Sequence, residues 1–69
     1  MSAIVFKLNG ELTQKPKELN LNELANELNL FRKKFAIEMN GEIIPKSSHS
    51  ATLIKDGDVI EIVHAVGGG

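Results

Sequence analysis

Two Asn-Gly pairs, Asn9-Gly10 and Asn40-Gly41, constrain this chain more than any other feature. Each directly follows a run in which apolar residues alternate: Ile4, Phe6 and Leu8 before the first, Phe35, Ile37 and Met39 before the second. A period of two marks a strand with one buried face, because successive side chains of a strand point to opposite sides of the sheet. An Asn-Gly pair after such a run predicts a type I′ turn, whose two central residues both need φ > 0. The sequence therefore predicts two hairpins, the first returning over Glu11 to Gln14 and the second over Glu42-Ile43-Ile44. Lys15-Pro16-Lys17 ends the first hairpin and Pro45 the second, since proline has no N–H to give to a ladder.

Between the hairpins lies one convincing helix. Asn20 is placed to cap it, with Glu23 three residues on in a variant of the capping box. Leu21, Leu24, Ala25 and Leu28 follow at helical spacing as one apolar stripe, and Asn29 suits a left-handed C-terminal position. A helix of about nine residues is not stable alone in water, so it must pack its stripe on a sheet. Beyond the second hairpin, Ser47 to Ser50 reads as a loop or single turn and Thr52-Leu53-Ile54 as a short strand. Lys55-Asp56-Gly57-Asp58 is turn chemistry, and Val59-Ile60-Glu61-Ile62-Val63 is the last strand.

Hairpin, helix, hairpin and final strand combine with least conflict when a right-handed crossover lays the last strand parallel to the first. The expected fold is α+β, a β-grasp (ubiquitin-like) layout with a mixed sheet of four to five strands and one main helix across one face. Burying Ile60 and Ile62 under the helix leaves Glu61 and Val63 on the opposite face. Val63 is then an exposed apolar residue just before the chain's end and, with Val66, a candidate contact patch.

Size and composition narrow the function classes. A chain of 69 residues is one domain, burying about 60% of its unfolded surface and leaving no room for a catalytic cleft. Without cysteine it has no disulfide, no thiolate nucleophile and no Cys-ligated zinc, which fits a cytoplasmic setting. A net charge of −1 argues against a nucleic-acid footprint, and no apolar run approaches the roughly 20 residues of a membrane span. Arg32-Lys33-Lys34 reads as a solvated loop. His49 and His64 lack metal-ligand spacing and read as ordinary surface histidines, so no metal site is expected. Ser47, Ser48 and Ser50 lie near His49 but have no pocket in which to form a triad. Glu38, Glu42 and Glu61 read as solvated residues of the sheet face.

The sequence closes on Val66-Gly67-Gly68-Gly69. Residues 1–66 are read as the globular domain and 67–69 as a flexible tail, since glycines carry high chain entropy and nothing to pack. Extended, Val66 to Gly69 would carry the terminal carboxylate about 13 Å beyond the last strand. A backbone without Cβ atoms can enter a slot too narrow for other residues.

Three segments together resemble the ThiS family, the ubiquitin-like sulfur carriers of thiamine thiazole synthesis. They are Ala36-Ile37-Glu38-Met39-Asn40-Gly41-Glu42-Ile43-Ile44-Pro45-Lys46, Asp56-Gly57-Asp58-Val59-Ile60-Glu61-Ile62-Val63 and Val66-Gly67-Gly68-Gly69. Leu8-Asn9-Gly10-Glu11 and the capped helix fit as well, so the likeness covers essentially the whole chain. One departure is Ser48-His49, where many relatives carry an aromatic residue shortly after the Pro-basic-Ser step.

The resemblance implies chemistry done on this chain by others. A ThiF-like adenylyltransferase would use ATP and Mg²⁺ to adenylate the Gly69 carboxylate. A cysteine-persulfide donor would supply sulfur, and the resulting thiocarboxylate would feed a ThiG-like thiazole synthase. Val63, Val66, Gly67 and Gly68 would bind the partners. On this reading the chain is not an enzyme, binds no cofactor of its own, touches neither nucleic acid nor membrane, and is a monomer when free. The alternatives are a MoaD-like small subunit of molybdopterin synthase, a non-reactive β-grasp binding module and a ubiquitin-like protein modifier.

Overall fold

A computed structural model describes residues 3–30 and 32–64. Strands β1 (Ile4–Leu8) and β2 (Glu11–Lys15) form the first hairpin, helix α1 spans Leu21–Glu27, and β3 (Phe35–Met39) and β4 (Glu42–Ile44) form the second hairpin. A 3₁₀ turn over Lys46–Ala51 precedes β5 (Val59–His64). The sheet order is β2-β1-β5-β3-β4, with β1 and β5 parallel and every other pair antiparallel. The last strand thus lies between the hairpins, as the crossover argument requires, and the β-grasp expectation holds.

Both turns have the backbone that Asn-Gly was expected to supply. Asn9 and Gly10 sit at φ 52° and 86°, Asn40 and Gly41 at φ 53° and 89°. The Asn20 side chain accepts from the Glu23 N–H at 2.7 Å while the Glu23 carboxylate accepts from the Asn20 N–H at 2.8 Å, closing the capping box. Leu21, Leu24 and Ala25 are buried, and their stripe meets Ile4, Phe6, Ile37 and Ile60 from the sheet. Leu19 and Ile54 complete this core from the segments flanking the helix and the last turn.

The helix is shorter than expected, and Leu28 is not the fourth member of its stripe. Leu28 is the C-cap and remains 39% exposed. Asn29 takes the left-handed conformation at φ 59°, its N–H reaches Asn26 O at 3.0 Å, and the Leu30 N–H returns to Ala25 O at 2.9 Å. These are the paired bonds of a Schellman ending, which reverses the chain and turns the following residue inward. Leu30 is buried in consequence and takes the place expected of Leu28.

Thr52-Leu53-Ile54 does not form a strand either. It makes one antiparallel bridge, Asn20 with Leu53, flanked by Leu21 N–H to Thr52 O and Ile54 N–H to Leu19 O. The segment therefore clamps the start of the helix and anchors Ile54 in the core, apart from the sheet. His49 is a further correction. The 3₁₀ turn folds it inward until it is only 4% exposed, with Nε2 donating to Ile44 O at 3.0 Å and its ring 6.1 Å from that of Phe35. An imidazole therefore supplies a second ring beside Phe35.

Leu24 lies at the centre of the helix–sheet interface and is fully buried. Leu24→Ala should cost about 2–5 kcal/mol, a large share of the stability of so small a domain. Lys33→Ala, at an exposed position, should shift stability by less than about 0.5 kcal/mol. Urea denaturation of the two variants checks this, and equal midpoints would mean that the Leu stripe is not core.

Candidate functional site

The strand that leads to the glycine tail is held from both sides by the side chains of the two turn asparagines. Asn9 Oδ1 accepts the Ile62 N–H at 2.8 Å, just beyond the point where β1 ends beside β5. Asn40 Oδ1 accepts the Val59 N–H at 2.9 Å, and Asn40 Nδ2 donates to Asp58 Oδ1 at 3.0 Å. Asp58 Oδ2 in turn accepts the Lys55 N–H at 2.7 Å, and Asp56 Oδ1 accepts the Val5 N–H at 2.7 Å. The Lys55-Asp56-Gly57-Asp58 turn is thereby fixed against β1 and β3, and β5 starts from a rigid base.

The β5 strand alternates as expected. Ile60 is buried and Ile62 packs against the core, while Val59, Glu61 and Val63 face away from the helix. The helix covers one face of the sheet only. On the uncovered face, Val63 is 50% exposed and stands opposite Ala36 of β3, the next outward pair is Glu61 opposite Glu38, and Ile43 of β4 lies beyond Glu38. At the other side of this face Leu12, 74% exposed, and Val59 flank Lys7, and with Val5 and the Asp56-Gly57-Asp58 turn they line an open groove. A run of exposed aliphatic residues on one sheet face is a signature of an interaction surface.

Of the expected site residues, Val63 is therefore where it was predicted. Val66, Gly67, Gly68 and Gly69 lie outside the described residues. Two features of the neighbourhood escaped the sequence reading. One is the opposition of Glu38 to Glu61, visible only once the β3–β5 register is known. The other is the position of Lys33 and Lys34: Phe35 pairs with His64, so the basic stretch enters the sheet beside the point where β5 leaves it. Among the described residues no group of His, Cys, Asp and Glu could hold a metal ion, and no helix is long and apolar enough to cross a membrane.

A helix gripped by a five-stranded mixed sheet, with its first and last strands parallel at the centre, defines a ubiquitin-like protein of the β-grasp class. Residues 4–69 match the ThiS family. The chain is 38% identical over 66 residues to the sulfur carrier protein ThiS of Bacillus subtilis, covering 94% of this chain and 100% of that one. It is 40% identical over 62 residues to a thiazole synthase of Paramagnetospirillum magneticum, covering 90% of this chain but only 19% of that protein's length. The crystal structure of a thiamine biosynthesis protein (ThiS) from Geobacter metallireducens superposes with a TM-score of 0.83 at 30% identity, covering 96% of this chain and all of that one. The chain belongs to the ThiS family, the sulfur carriers of thiamine biosynthesis.

Asn9→Ala should destabilise the domain by about 1–2 kcal/mol, because it removes the acceptor for Ile62 and puts a β-carbon without a local hydrogen bond at positive φ. Asn9→Gly keeps the turn and removes only the acceptor, so its loss should be smaller. Amide hydrogen exchange separates the two effects: in both variants the Ile62 N–H should exchange faster relative to the Ile37 N–H, and unchanged Ile62 protection would refute the anchoring role.

Proposed function

We propose that Gly69 carries the sulfur, as a thiocarboxylate made from its own carboxylate and spent in forming the thiazole of thiamine. A carboxylate resists nucleophiles until one oxygen becomes a good leaving group. In the proposed sequence a carboxylate oxygen attacks the α-phosphorus of ATP on an adenylyltransferase, pyrophosphate departs, and an acyl adenylate remains. The terminal sulfur of a cysteine persulfide attacks the acyl carbon and AMP leaves. A thiol then reduces the S–S bond and frees the thiocarboxylate. The catalytic groups belong to the activating enzyme, where positioning and neutralisation of phosphate charge, aided by Mg²⁺, lower the barrier. This chain contributes an address and an unhindered acyl centre, and acts as a protein co-substrate.

The observation that supports this reading best is the exposed Val63 at the end of a strand fixed by two asparagines, with Val66-Gly67-Gly68-Gly69 directly downstream. A rigid strand sets the direction in which the tail departs, and the glycines allow it to enter a narrow channel. The likeness to part of a thiazole synthase supports a thiazole synthase as the recipient of the sulfur. It also favours thiamine over molybdopterin chemistry.

Gly68→Val, or a residue added after Gly69, should leave the thermal midpoint near that of the wild type, since the described core is built from residues between Ile4 and Ile62. Sulfur loading should fall by about a hundredfold or more, the scale of loss for a misplacement of about 1 Å at a reacting centre. Intact-mass analysis after incubation with a ThiF-type adenylyltransferase, ATP and a persulfide donor reads the exchange of oxygen for sulfur. A variant with a blocked terminus that still supports thiazole formation would overturn the reading.

A further inference from the structure

The uncovered sheet face carries an arrangement that works against the fold itself. Glu38 and Glu61 stand directly opposite each other on β3 and β5, a separation of about 5 Å between Cα atoms in an antiparallel ladder. Like charges directly opposed on one sheet face destabilise it. Neither carboxylate has a hydrogen-bond or ion-pair partner among the described residues. The side chains next to the pair on β3, β4 and β5 are aliphatic, Val59 and Val63 along β5, Ala36 on β3 and Ile43 on β4, with Ile43 59% exposed, and Lys7 of β1 lies beyond Val59. The carboxylate pair thus has aliphatic neighbours on three strands, with the Lys7 cation at the edge of the patch.

The position of this patch relative to the tail identifies its occupant. Residues 65–69 span at most about 17 Å when fully extended. An enzyme that acts on Gly69 must therefore approach the end of β5 closely, and Val63 and Glu61 are the outward residues nearest that end. The helix occupies the other face, so the exposed aliphatic surface available at this end of the sheet is the one around the two carboxylates.

We propose that Glu38 and Glu61 together seat one arginine side chain of the adenylating enzyme, with Val59, Val63, Ala36 and Ile43 sealing the contact from water. This deepens the sulfur-carrier reading and rests on it. Arginine fits better than lysine, because a planar guanidinium offers five N–H donors in fixed directions and can meet two carboxylates at once. The aliphatic rim excludes solvent and strengthens the charge-assisted bonds, the arrangement typical of an energetic hot spot at an interface. The seat also fixes register. Docking the arginine two residues before Val63 on β5 sets how far residues 65–69 project into the enzyme.

The test is the double variant Glu38→Gln, Glu61→Gln, titrated against a ThiF-type adenylyltransferase by calorimetry at two salt concentrations. The affinity should fall tenfold or more and lose much of its salt dependence. The thermal midpoint of the free variant should be equal to or above that of the wild type, since the like-charge opposition is gone. A merely structural role would lower the midpoint instead. Glu61→Lys should weaken binding further. Wild-type affinity in the double variant would overturn the arginine seat while leaving the carrier reading intact. A wild-type chain that the enzyme neither binds nor loads would overturn both.

Discussion

Strand β5 is tied on both sides by asparagine side chains, and the remaining architecture depends on that attachment. It must be parallel to β1 and antiparallel to β3, so its ladder bonds come from two hairpins far apart in sequence. Where β1 runs out, Asn9 supplies the missing acceptor to Ile62; where the strand begins, Asn40 does so for Val59. Each asparagine is simultaneously a turn residue at positive φ and a ladder partner. A bond of this kind contributes about 0.5–1.5 kcal/mol, so the two together matter in a domain of this size.

From that placement the two faces of the sheet acquire different tasks. The inner face is an apolar core in which Phe6, Leu21, Leu24, Ile37, Ile54 and Ile60 are almost completely withdrawn from water. The outer face carries aliphatic side chains that the fold leaves in solvent, Leu12 and Ile43 foremost. Exposed aliphatics add nothing to the stability of the free domain, and neither do two opposed glutamates. Aliphatic side chains gathered on one open face are a mark of interaction surfaces.

Much of the fold was legible because its determinants are local. Asn-Gly after an alternating run fixes a turn within four residues, and Asn20 with Glu23 fixes a helix start within the same span. What escaped depends on the chain returning on itself. Leu30 replaces Leu28 in the core because the left-handed Asn29 reverses the backbone, which a continued helical period cannot anticipate. His49 is buried because a 3₁₀ turn brings it under Phe35, and a polar stretch gave no hint of that. At the site, Val63 followed from alternation alone. The Asn9 contact spans 53 residues in sequence, and the facing of Glu38 and Glu61 needs a register that no local pattern encodes.

The Asn-Gly turns have a chemical side as well as a conformational one. Asparagine is among the thermolabile residues, and glycine after it leaves the following backbone nitrogen unhindered to attack the side-chain carbonyl and expel ammonia. At Asn40 the resulting carboxylate would face Asp58, where the amide now donates at 3.0 Å, and attraction would become repulsion. At Asn9 the isoaspartyl product would lengthen the backbone in the turn that reaches Ile62. Ageing would therefore begin at the two points that hold the central strand. The service life of the fold would then be set by these two amides rather than by its core.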